Sequence, residues 1–156
     1  MSRILALLSA LAVFVIMFAV RIDIKPLIDV PSAIIVTVLP LLFLLAIYSP
    51  AELKKAVSDL GAPPDAGVSA FEYRNSSQAF LVYGILGIAT GVCAAIISVI
   101  FVLSNLGDPK IVIVDISASV IALFYSLVLF VFFCYPARSI LENAARRAEL
   151  FDDETA

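Results

Sequence analysis

Four stretches of this chain run for 17 residues or more without a charge, at 4–20, 30–51, 75–107 and 116–137. A bilayer's hydrocarbon core is about 30 Å thick and takes about 20 mostly apolar residues to cross as a helix. A helix also closes its own backbone hydrogen bonds, which lipid requires. The pattern predicts an all-α membrane protein with four transmembrane helices at 4–20, 30–48, 79–106 and 115–136. They form a single domain over 1–156, with a loop at 49–78 and a tail helix at 137–151. The first run imitates a signal peptide after Arg3. It exceeds the roughly 7–15 residues of such a segment, and Val20-Arg21-Ile22-Asp23 is a poor cleavage site, so it reads as a retained helix.

Composition closes off the alternatives. Hydrophobic residues make up 63% and charged residues 15%, against about 45–50% and about 25% in soluble domains. There is no His, and two Cys cannot build a disulfide framework. Nothing resembles a nucleophile–base pair, a phosphate-binding glycine loop or a metal-ligand cluster. The expectation is a protein that is not an enzyme and holds no cofactor or metal. The net charge of −3 with no basic block argues against a nucleic-acid partner.

Cytoplasmic segments carry the excess of Lys and Arg. With the N-terminus inside, the inner segments hold Arg3, Lys54, Lys55, Arg74, Arg138, Arg146 and Arg147, against Arg21, Lys25 and Lys110 outside. Both termini are therefore expected in the cytoplasm, in a multi-pass protein of the inner membrane. In the inner loop, Ser49-Pro50-Ala51-Glu52 is a capping box with Pro at the first helical position. Gly61 and Pro63-Pro64 end that short helix.

Membrane helices associate where small residues let backbones approach. Gly84, Gly87, Gly91, Ala94 and Ser98 recur every three or four residues on the third span. Asp115, Ser119, Ala122 and Ser126 do so on the fourth. The two stripes predict close packing, either of these helices on each other or around a central element whose pore they line. No ionisable residue falls in the middle of a span. Asp115, the nearest, is either the N-cap of the fourth helix or a group at the outer mouth of an ion path. Pro31 suits a first helical turn, and Pro40 introduces a kink.

Several motifs carry a resemblance. Gly84 to Gly91, then Leu103-Ser104-Asn105-Leu106-Gly107-Asp108-Pro109-Lys110, then Tyr125 and Pro136, resemble the last two spans of the flagellar stator A-subunits, within the MotA/TolQ/ExbB proton-channel family. The N-L-x-D-P-K turn, the Tyr 17 residues after Asp108 and the Pro 11 further on stand at the family's intervals. Leu27-Ile28-Asp29-Val30-Pro31-Ser32 is similar to the F-x-D-x-P-S start of the second span. The resemblance implies a homo-oligomeric, five-fold ring. Its third and fourth spans surround single helices of a smaller B-type subunit, which supplies a membrane Asp. Four positions depart from the pattern: Ile88 stands where the family has Thr or a small residue, Ala122 and Leu123 stand where it has a Thr pair, and Leu81 stands where it has Pro. The loop at 49–78 is also far shorter than the family's torque-transmitting domain. The resemblance therefore implies a minimal channel subunit of an ion-driven complex, or a non-conducting scaffold of the same fold.

Overall fold

The computed structural model describes residues 29–61, 68–104, 106–107 and 109–155, together with Ser9, Ala12, Val13 and Ile16. The described chain is helical, without strands, and three of its helices are long and apolar enough to cross a membrane. The expected span at 4–20 lies outside the described residues but for those four positions, as do Asn105 and Asp108.

Helix α1 is Val30–Ile47, with Pro31 in its first turn. Ser32, Val36, Pro40 and Leu44 are buried, a strict four-residue ridge of the kind that packs into a neighbouring helix's groove. Pro40 has no N–H for the carbonyl of Val36. The freed carbonyl region is turned inward: Val36 O lies 4.0 Å from where a Cβ on Gly87 would stand, and the hydroxyl of Tyr83 donates to Thr37 O at 3.1 Å.

Helix α2, Pro50–Asp59, begins with the capping box that its sequence announces: the Ser49 N–H donates to Glu52 at 2.7 Å, and the Glu52 N–H donates to Ser49 Oγ at 3.3 Å. The Ser49 N–H and the Ser49 hydroxyl, which also donates to the carboxylate at 2.8 Å, hold the Glu52 carboxyl below its ordinary range. Ser49→Ala should cost about 1 kcal/mol, seen as faster amide hydrogen exchange over 50–59. Unchanged protection there would contradict the cap's role. Buried Asp59 ties this helix inward by accepting from Ser76 Oγ at 2.6 Å.

Helix α3, Ala70–Ser104, begins nine residues before the expected span. A second capping box explains this, since Ser69 and Glu72 exchange the same pair of bonds at 3.3 Å. Glu72 also pairs with Lys55 of α2, which lowers the Glu72 pKa and raises that of Lys55.

Helix α4, Pro109–Leu129, passes through a π-helical turn at Phe130–Cys134 into α5, Tyr135–Thr155. The residues turned inward are Ser119, Ala122 and Ser126, then Cys134, Ala137, Leu141, Ala145 and Ala148. From Ser126 to Cys134 is eight residues, where two further turns of a 3.5-residue seam need seven. The π turn absorbs the extra residue, and it sits just before Pro136, which cannot donate to an i−4 carbonyl.

Below the membrane-length segments, Tyr73 and Leu141 are fully buried with Ala145 and Ala148, and Leu60, Val68 and Phe80 pack around them. This cluster joins α3 to α5. Arg74 and Glu149 bridge the same two helices at 2.6 Å.

Candidate functional site

The glycine stripe packs within the chain. A Cβ on Gly91 would stand 2.5 Å from Ser126 Oγ, 2.7 Å from Ser126 Cβ and 3.1 Å from Ala122 O. One on Gly84 would stand 2.6 Å from the Phe130 ring and 2.8 Å from Cys134 Cβ. Gly87 is looser, 3.3 Å from a Leu129 methyl. Of the two uses open to these stripes, helix three on helix four is the one their placement serves. Above Gly91 the buried line passes through Ala95 and Val102. Ala94 and Ser98 turn to one side, because an α-helix of 3.6 residues per turn drifts away from a 3.5-residue stripe.

On the side where α1 lies, α1, α3 and α4 enclose a groove of about 690 Å³. Asp29, Pro31 and Ser32 line it from the start of α1, Thr90, Cys93 and Ser98 from α3, and Ala118 and Ala122 from α4. The Ser32 hydroxyl donates to the Asp29 carboxylate, and the Asp29 N–H donates to the Tyr125 hydroxyl at 3.1 Å, across 96 residues of sequence. Thr90 spends its hydroxyl on Leu86 O at 2.8 Å.

Asp29 stands just ahead of the charge-free run of α1, yet it lies beside the lower half of α4. Tyr125 is 16 residues beyond Pro109, about 24 Å down the helix at 1.5 Å per residue. The upper halves of α3 and α4 therefore rise well above Asp29, and Asp115 is their one described carboxylate. An ionisable group within such a bundle is a functional candidate in its own right. The sequence named Asp29 only as part of a motif, because the charge-free run began just after it.

The N-cap reading of Asp115 is corrected. Helix α4 starts at Pro109, whose fixed φ suits a first helical position. Asp115 is thus in the second turn and caps nothing, although its backbone carbonyl accepts from Ser119 Oγ at 2.8 Å.

The face of α3 and α4 turned from α1 has a different character. Val92, Ala95, Ile96, Val99, Ile100 and Leu123 line a shallow groove of about 380 Å³ there. Val92, Ile96 and Val99 are 40–54% exposed. Their spacing is that of an unpartnered coiled-coil seam. The two departure positions Ala122 and Leu123 thus fall on opposite sides of the hairpin, and half-buried Ile88 lines neither groove.

Cys93 lies in the α1-side groove and Cys134 is buried behind Gly84. Among the described residues no three His, Cys, Asp or Glu side chains gather as a metal site would need. No protein-family model matches the chain, and neither does any curated protein.

Proposed function

We propose that this chain is a minimal channel-side subunit of the MotA/TolQ/ExbB type, assembling as a five-fold ring whose α3 and α4 helices surround a partner helix in an ion-driven complex. What carries the reading is the Asp29 N–H to Tyr125 hydroxyl bond. It joins the D-x-P-S segment to the Tyr of the last span, two motifs far apart in sequence that the resemblance had named separately. With α1 on one side of the hairpin, the side left to face a ring axis is the apolar seam of Val92, Ile96 and Val99. That seam suits a helix as partner, since membrane helices meet by close van der Waals packing. The carboxylate at the axis would come from the B-type subunit.

The second reading, a non-conducting scaffold of the same fold, is favoured by the chemistry of that seam. Alkyl groups such as Leu123 offer an ion nothing in exchange for its hydration. Proton uptake into liposomes holding the chain and its co-purified partner separates the two. The conducting reading expects uptake that Asp29→Asn reduces at least tenfold with assembly intact. Absence of uptake, even in the Ile88→Thr and Leu123→Thr double variant, would establish the scaffold.

A further inference from the structure

At the lower end of the bundle, α3 and α5 form a polar cleft of about 400 Å³, lined by Arg74, Ser77, Gln78, Arg138, Glu142 and Arg146. Unlike the two grooves along α3 and α4, it is lined by cations. Arg138 is paired with Glu142 at 2.8 Å, and Arg74 with Glu149 at 2.6 Å. Arg146 meets no carboxylate among the described residues. Each guanidinium has five N–H donors, so the two paired arginines keep donors in reserve.

Ser77 supplies an independent sign. It is 1% exposed, and its hydroxyl has no hydrogen-bond partner among the described residues. Among the described residues the other buried serine and threonine hydroxyls are satisfied: Thr90 and Ser119 bond back one turn, Ser126 bonds to Leu123 O, Ser32 to Asp29 and Ser76 to Asp59. A buried hydroxyl left unmatched carries a desolvation cost, and in a native protein it is met by a water, an ion or a ligand.

The cleft is thus rich in donors and short of acceptors, which is the complement of an acceptor-only oxyanion. Its position narrows the ligand. Ser77 and Gln78 stand just inside the start of the charge-free run of α3, and Arg138 just past the end of that of α4, so the cleft lies where the apolar belt meets water. Basic pockets between helices at that level hold lipid head groups.

We propose that this cleft binds a phosphate diester bearing one negative charge, with Arg146 as its principal cation and Ser77 as a donor to a phosphate oxygen. In the membrane the source is the head group of an anionic phospholipid. The site is independent of copy number and of ion conduction.

The test is the thermal unfolding midpoint of the full chain in mild detergent, titrated with phosphatidylglycerol, with zwitterionic phosphatidylcholine and with inorganic phosphate. Phosphatidylglycerol should raise the midpoint and phosphatidylcholine should not. Arg146→Ala, a change at an exposed residue, should raise the phosphatidylglycerol concentration needed by about tenfold, whereas exposed Lys54→Ala should leave it unchanged. Ser77→Ala should unfold at a higher temperature than the parent without lipid and gain less from lipid. A shift from inorganic phosphate that is as large and as dependent on Arg146 would uphold the phosphate site while assigning it to a soluble ligand. Equal responses of the Arg146→Ala and Lys54→Ala variants, or no response to any phosphate, would overturn the proposal.

Discussion

Replacing Gly91 by Leu should separate the α3–α4 hairpin and cost about 3 kcal/mol or more, at the upper end of what overpacking does. Even a methyl group at Gly91 would meet Ser126 Oγ and Cβ at 2.5 and 2.7 Å, and the carbonyl of Ala122 at 3.1 Å. A Cβ and a helix carbonyl have no rotamer with which to give way. The graded series makes the argument specific. Gly91→Ala should be severe and Gly84→Ala similar. Gly87→Ala should stay within about 1 kcal/mol, because the Leu129 methyl can swing aside. Gly107→Ala meets nothing within 4 Å and should lie within about 0.5 kcal/mol of the parent. Unfolding midpoints in mild detergent give the order. Equal effects at Gly91 and Gly107 would mean that the hairpin is not held by this contact.

The second large effect belongs to the cluster under the membrane-length helices. Tyr73→Ala removes a fully buried ring from between α3 and α5, a loss of about 3–5 kcal/mol for a large aromatic. Leu141→Ala should cost about 2–5 kcal/mol by the same mechanism. Because this cluster holds α5 to α3, with one exposed ion pair beside it, the loss should appear as tryptic cleavage at Arg146 and Arg147 that the parent resists. Resistance equal to the parent's would show that α5 is held elsewhere.

What was legible in the sequence divides by physical cause. The spans of α1, α3 and α4 follow from charge-free length, and α2 follows from Ser49 and Glu52, because a capping box is a local device written in four residues. Ser69 and Glu72 spell the same device. It went unread because hydropathy alone placed the start of α3 at the membrane edge. Asp115 misled for the converse reason: a favoured cap residue before an apolar run resembles a start, while Pro109 had already provided one.

The glycine stripe announced a close contact but not its partner, since small residues permit approach without naming what approaches. The π turn depends on how the seam of α4 must meet that of α5 around Pro136, which is a property of the packed pair. The depth of Asp29 depends on α1 starting far below the top of the α3–α4 hairpin, and sequence measures length along a chain, not offset between helices. Ser77 looked like any helix serine until its neighbours were seen to leave its hydroxyl unmatched.

The central claim is a ring around a partner helix, and native mass spectrometry of the complex drawn from its own membranes in mild detergent tests it most directly. The account predicts five copies of this chain together with a smaller single-span protein carrying a membrane Asp. A monomer or dimer that retains no such protein would contradict it.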